Sequence, residues 1–329
     1  MRNLARFGIS NSESIMPTKS PLERITMRLT VADAISPSYF VAIAAIQLGF
    51  FRQEGVDMEF VFSPPDPSQA LKDGTIDFFG GSPYTGLRAF PGWRGGAILC
   101  ALSHYNYWFL AVRSDIKAEQ GDVSAVKGLR LSASLDPGLT LKRLLEEAGI
   151  DLQRDKVQIV RSPRRTCPNW AWDGVDAIEQ GVSDGYWGNG LRADLGVKRG
   201  IAKILLDVRR GDGPPAARHW TFPALVTTER LVKEHPDIAA GAVRAIVKTQ
   251  RALRAEPQLA AKAAQRLFPA EEASLIAYEV ARDASFYNPS ISEEMVGHIS
   301  RFAREIGALE GEIRYGDVVA TQFAPLWQG

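Results

Sequence analysis

Cysteine is scarce: Cys100 and Cys167 are the only two in 329 residues, too few for a disulfide framework or a thiolate-rich zinc site. Histidine is scarce as well. The four histidines, at 104, 219, 235 and 298, show no short ligand spacing, so no metal site is expected. Neither sign of charge dominates. Lys+Arg number 39 and Asp+Glu 38, which leaves no electrostatic footprint for nucleic acid or an anionic membrane surface and points to a small-molecule partner. No segment offers the roughly 18 consecutive apolar residues of a transmembrane helix. Residues 1–24 are polar and rich in Ser and Pro. They lack the apolar run of a secretory signal and read as a flexible N-terminal segment. Neither GNG in YWGNG nor the SLDPG turn makes a dinucleotide or phosphate-loop fingerprint, so no cofactor is expected.

What is present is α/β grammar. MRLTVADA (27–34) alternates as a strand does, and SPSYFVAIAAIQLGFFRQEG (36–55) follows as an apolar helix closing at Gly49. Strand and helix then take turns: VDMEFVFS, a helix capped at Gly74, TIDFFGG, two apolar runs over 97–113, GLRLSAS, a helix over 138–150, KVQIVRS, and VSDGYWG. Such alternation predicts mostly parallel sheets. From about residue 237 the texture changes to successive amphipathic helices that read as packing elements. The length suits two domains of ordinary size.

One pattern is written twice. QALKDGTIDFFGG (69–81) and DAIEQGVSDGYWGN (176–189) each end a helix at a glycine, place an Asp in a short linker, and finish a strand in aromatics and glycine. Two such units imply two similar lobes. In open α/β sheets the ligand crevice lies beyond the carboxyl ends of the strands, so FGGSPYTG and YWGNG are candidate walls of one cleft.

The runs SPSYFVAIAAIQLGFFRQEGVDMEFVF, ALKDGTIDFFGGSP, NYWFLAVRSDI, LSASLDPGLTLKRLLEEAGI and QGVSDGYWGNG together resemble the periplasmic solute-binding proteins of nitrate, sulfonate and taurine ABC transporters. Thiamine-pyrimidine synthases and an aromatic sulfinate desulfinase share that superfamily. The resemblance implies a two-lobed type II periplasmic-binding-protein fold: residues 25–112 and 225–329 in lobe 1, residues 113–224 in lobe 2, FLAVR and TFPALVT as the two crossover strands, and C-terminal helices completing lobe 1. It implies hinge closure around a ligand, an ABC permease as partner, a monomer and a periplasmic location. The absent signal leaves a cytoplasmic location as the alternative.

Candidate ligand contacts sit at the strand-to-helix turns. Ser36 and Tyr39 follow the first strand, where free amides favour an anion, although Ser36 before Pro37 also suits a helix cap. Ser82 and Tyr84 follow the third strand, in what also reads as an ordinary turn. SHYNYWF contributes His104 and Asn106, the histidine being either a ligand contact or a structural hydrogen-bonder. Ser134 and Thr140 flank another turn. Asn169 and Trp170 belong to TCPNWAWDG, and Tyr186, Trp187 and Asn189 to YWGNG. These walls hold many rings and amides but few evident fixed positive charges, which favours a flat organic acid over a small inorganic anion. The alternative is a cytoplasmic lyase or hydrolase acting on an aromatic acid. Against it, the desulfinase places a cysteine where this chain has Ser36-Pro37, and the synthases carry a cysteine-rich motif with no counterpart here. Cys167 with His104 or His219 is a weaker nucleophile arrangement, since nothing local enforces their meeting.

Overall fold

The computed structural model describes residues 25–32, 34, 36–161 and 174–328. Its first sheet is built from β1 (Thr26–Val31), β2 (Asp57–Phe60), β3 (Phe78–Gly81), β4 (Gly96–Ala101) and β10 (Ala224–Thr228), in the order β2-β1-β3-β10-β4. The second holds β5 (Phe109–Arg113), β6 (Arg130–Ala133), β7 (Gln158–Arg161), β8 (Gly185–Gly188) and β9 (Ala202–Asp207), in the order β7-β6-β8-β5-β9. The two sheets share one topology. In each, three parallel strands are followed by one antiparallel to both of its neighbours: β10 beside β3 and β4, β5 beside β8 and β9. Each antiparallel strand carries a register shift, at Leu225/Val226 and at Leu110/Ala111. Mixed sheets with flanking helices make the chain a two-lobed α/β protein.

FLAVR is not a strand shared between lobes. It is β5, paired throughout with the second sheet, and so the boundary expected at 112/113 falls inside an element of lobe 2. TFPALVT likewise resolves into β10 of the first sheet. The chain crosses instead over 102–108 and 208–223. The crossings are tied together: the Asn106 amide donates to the Arg218 carbonyl and its Nδ2 to the Ala217 carbonyl, both at 2.9 Å.

The first lobe carries α1 (Pro37–Gln47), α2 (Phe50–Gln53), α3 (Pro67–Lys72) and α4 (Pro83–Leu87). Gly49 separates α1 from α2 with φ of 79°, a left-handed turn that a Cβ would strain. The second lobe carries α5 (Leu135–Glu147), α6 (Gly174–Glu179) and α7 (Gly190–Lys198). After β10 come α8 (Glu229–Glu234), α9 (Pro236–Ala255), α10 (Leu259–Ala264), α11 (Ala270–Asp283), α12 (Glu293–Glu305) and α13 (Tyr315–Val318). Apolar faces of α1, α9 and α11 close over the first sheet through Phe40, Ile43, Val243, Ile246 and Ile276, all fully buried. Among the described residues no helix is long and apolar enough to cross a membrane.

The repeated sequence pattern becomes a repeated clamp. In lobe 1 the Arg28 amide and Nε donate to Asp77 Oδ2 at 2.8 and 3.1 Å, and Nη2 reaches the Gly74 carbonyl at 2.6 Å. In lobe 2 the Arg130 amide and Nε donate to Asp184 Oδ2 at 2.9 and 3.0 Å, and Nη1 reaches the Gly181 carbonyl at 2.9 Å. Both glycines stand in left-handed turns, with φ of 73° and 70°. The clamp holds the helix end and the Asp linker against the amino end of the neighbouring parallel strand. The opposite, carboxyl ends of those strands are thereby set to feed the crevice.

Candidate functional site

The carboxyl ends of β1 and β3 lead into α1 and α4, those of β6 and β8 into α5 and α7, and the two crossings run between them. At their meeting lies Arg209, in the short 3₁₀ turn that follows β9, with 1% of its surface exposed. Its Nη2 donates to Ser38 Oγ at 2.8 Å and to Ser103 Oγ at 3.0 Å, joining the start of α1 to the first crossing. The guanidinium carbon stands 5.1 Å from the Phe286 ring centre and 5.9 Å from that of Tyr107, within cation–π range. Nη1 lies 3.6 Å from Asp283 Oδ2. Nε is buried with no hydrogen-bond partner among the described residues. A donor left so in a dry site favours an acceptor arriving from outside. Burial lowers the Arg209 pKa, and Asp283 and Asp207 oppose that shift.

Aromatic rings gather beside it. Tyr39 and Tyr107 are hydrogen-bonded hydroxyl to hydroxyl with their rings edge to face at 5.2 Å. Tyr107 leans on Trp108 at 4.8 Å, and Trp108 faces Trp187 at 6.5 Å. Trp187 Nε1 donates to Thr140 Oγ1 at 3.0 Å, and Thr140 in turn donates to the Pro137 carbonyl at 2.7 Å. Trp108 Nε1 is buried without a hydrogen-bond partner among the described residues.

The other candidate contacts take the following positions. Ser36 sits at the N-terminus of α1, ahead of Pro37, and makes no cap with its side chain. Ser82 Oγ is 2.6 Å from Thr221 Oγ1, linking the start of α4 to the second crossing. Tyr84 packs into the core, edge to face with Phe302 at 6.0 Å. His104 Nε2 donates to the Ser290 carbonyl at 2.9 Å; burial lowers its pKa, the Ser290 bond opposes this, and the Arg209 charge lowers it further. Asn106 fastens the crossings. Ser134 precedes α5 and makes no side-chain cap. Tyr186 lies on the face of β8 opposite Trp187, its ring against Gly174 and Gly188. Asn189 caps α7 by accepting the Arg192 amide at 3.3 Å. Asn169 and Trp170, with Cys167, lie outside the described residues.

One feature corrects the sequence reading. The interlobe region is not without fixed positive charge: Arg209 is buried there, 1% exposed. Arg209 was illegible because LLDVRRGDG reads as a strand end entering a charged surface loop. Cys100, to which the sequence reading gave no role, lies in β4 with no exposed surface, and burial pushes its thiol pKa well up.

The architecture, two lobes of one topology joined by two crossings, is that of the two-lobed periplasmic-binding-protein fold. The profile of the NMT1/THI5-like family matches residues 36–260, more than half of the chain, and the chain belongs to that family. Solved structures share the fold at low identity. The alkanesulfonate-binding protein SsuA from Xanthomonas axonopodis pv. citri, bound to MOPS, has a TM-score of 0.64 at 15% identity over 89% of this chain and 97% of its own. The periplasmic nitrate-binding protein NrtA from Synechocystis PCC 6803 gives 0.65 at 15% identity over 93% and 88%. The desulfurization enzyme DSZB gives 0.64 at 14% identity over 91% and 98%, so the fold itself serves both binders and an enzyme. No curated protein sequence matches the chain.

Proposed function

We propose that this protein is the solute-binding component of an ABC importer. In this reading it takes a small organic anion, aromatic or heteroaromatic, between its lobes and closes on it about the 102–108 and 208–223 crossings. The observation that carries the reading is Arg209: a buried cation with one unpartnered donor, flanked by Ser38 and Ser103 and faced by aromatic rings. A cation in that setting attracts an acidic group, while Trp108, partly exposed and backed by buried Tyr107 and Trp187, offers ring surface for an apolar body. Closure follows from the ligand's greater affinity for the closed arrangement. Delivery to a permease in the periplasm accords with the periplasmic binding proteins that share the fold, and the reading takes the protein as a monomer.

A thermal-shift screen of purified protein against aromatic carboxylates, sulfonates, aliphatic acids and pyrimidines tests this, with mass spectrometry of each hit after overnight incubation. Binding raises the melting temperature by mass action. A hit that is an aromatic acid returned unchanged is the expected result. A hit converted to product would replace the binder with an enzyme on the same scaffold.

A further inference from the structure

Beside Arg209 the lobes meet through charged side chains. Helix α11, after the chain has returned to the first sheet, packs on α7 of the second lobe. Glu279 of α11 has no exposed surface, and neither of its carboxyl oxygens finds a donor within hydrogen-bond distance among the described residues. Asp194, one turn beyond Gly190 on α7, accepts from Arg282 Nη1 of α11 at 2.5 Å, which sets its carboxyl on the face of α7 that meets Glu279. Gly190, at the start of α7, makes room for this meeting: a Cβ there would lie 3.0 Å from Arg282 Nη2 and 3.5 Å from Glu279 Oε1.

The cations nearby are committed elsewhere. Arg282 Nη1 donates to Asp194 Oδ2 at 2.5 Å, and its Nε and Nη2 donate to Asp283 at 3.1 and 3.2 Å. Arg210 serves Asp207 at 2.8 Å and Asp283 at 2.9 Å. Arg209 faces Asp283, and Lys198 pairs with Glu271 at 3.1 Å. Helix α1, also against α11, brings no charged side chain, and Lys262 of α10 is exposed. Tyr287, which donates to the Pro37 carbonyl at 3.0 Å, is buried and adds no charge. Glu279 and Asp194 thus meet across the lobe contact with Arg282 bonded to Asp194 and not to Glu279. Two carboxylates so placed are held apart unless one carries a proton.

We propose that Glu279 and Asp194 share one proton across the interlobe contact, so that closure, and with it ligand capture, takes up a proton from solvent. This rests on the closing binder described above. The carboxyl of Glu279 gains an O–H that donates to a carboxylate oxygen of Asp194; opening exposes both groups and releases the proton. The physical sign is consistent. Burial first, then the Asp194 charge, pushes the Glu279 pKa well above the usual carboxylate range. A group raised in the folded state contributes stability that is fully present below its unfolded pKa and is lost as pH rises through its folded pKa.

The test uses the ligand-free full chain. Urea unfolding of wild type and Glu279→Gln is followed from pH 5 to 9; Gln keeps the shape of the protonated acid. Wild type should lose folding equilibrium relative to the variant by up to about tenfold per pH unit until the folded pKa is passed. Parallel profiles would overturn the proposal. Asp194→Asn should narrow the pH range of that loss, and an unchanged range would remove Asp194 from the pair. Small-angle scattering reads the lobes: the wild-type radius of gyration should be larger at pH 9 than at pH 6, and that of Glu279→Gln the same at both. A wild-type radius that does not change with pH would break the link to closure. None of these measurements needs the ligand, so their failure leaves the binding reading to its own screen, and failure of the screen leaves them standing.

Discussion

Asp184→Ala removes the acceptor at the centre of the lobe 2 clamp. In the intact protein its carboxylate takes the Arg130 amide at 2.9 Å, Arg130 Nε and Nη2 at 3.0 and 3.1 Å, and Arg113 Nη1 at 2.7 Å. The Asp184 side chain is 11% exposed, while both arginine side chains are 39% exposed. Orphaning a partly buried amide costs about 1–3 kcal/mol. Each half-exposed arginine pair adds about 1 kcal/mol or less, because water screens it. The expected loss is therefore about 2–4 kcal/mol at pH 7, seen as a shift in the urea midpoint at unchanged slope. Arg130 bonding, with further help from Arg113, holds the Asp184 pKa below the usual value. Its contribution is present above the unfolded carboxylate pKa and is lost as pH falls through the lowered folded pKa, so wild type and variant should converge in acid. Asp77→Ala breaks the matching clamp in lobe 1, which has no counterpart to Arg113 among the described residues, and should cost slightly less. A loss below about 0.5 kcal/mol for Asp184→Ala, or a difference between wild type and variant that persists undiminished at pH 2, would refute this account.

Arg209→Met should weaken binding of the acid found in the screen by about 10- to 100-fold, measured by calorimetry, the value of a charge-assisted hydrogen bond. It should also cost stability, since it takes the donor from buried Ser38 and Ser103 and one of the cations facing Asp283, so binding is compared below the melting temperature of the variant. Gly174→Ala would place a Cβ 1.6 Å from Tyr186 Cδ2 and should lower the urea midpoint by about 1–3 kcal/mol of stability. Cys100, fully buried with its thiol pKa pushed up by burial, should stay silent to a thiol reagent in native buffer and react only on unfolding; its variant Cys100→Ser isolates the signal from Cys167.

The repeated A-[L/I]-x-x-G…D pattern was legible because the clamp's glycine and aspartate are close in sequence. Its arginines were not, since Arg28 and Arg130 reach across forty or more residues to Asp77 and Asp184, and no local period records such a pairing. Strand FLAVR was read correctly as a strand but placed between lobes, because periodicity gives an element's type and not its sheet. Helix α5 begins at Leu135, ahead of the expected Gly138, as the first turn accepts Pro137. The six-residue α10 escaped notice: LAAKAA carries too little contrast for a helical face. Tyr39, Thr140 and Trp187 were singled out through their turns and gather near Arg209, whereas Arg209 itself comes to Ser38 and Ser103 only through the return crossing.

The two edges of the lobe contact are built from different chemistry, and they should answer to pH differently. On the α5 and α12 side, Trp220 of the second crossing stacks on Phe302 at 4.9 Å and 10°, with Arg143 lying 5.7 Å from the Trp220 ring and bonded to Glu305 at 3.1 Å. Trp220 is 5% exposed and Phe302 fully buried, so this edge is held by apolar area that no proton alters. On the α7 and α11 side the contact is ionic, and a dry ion cluster stabilises only while its partners are complete. Trp220→Ala should therefore cost about 3–5 kcal/mol, the range for losing a buried Trp, equally at pH 7 and pH 9. Neighbouring His219, whose pKa is lowered by burial and by His298, is neutral at both values and adds no slope. A cost that fell between pH 7 and pH 9 would mean that the stacked edge titrates, and the division between a fixed apolar edge and a proton-dependent ionic one would fail.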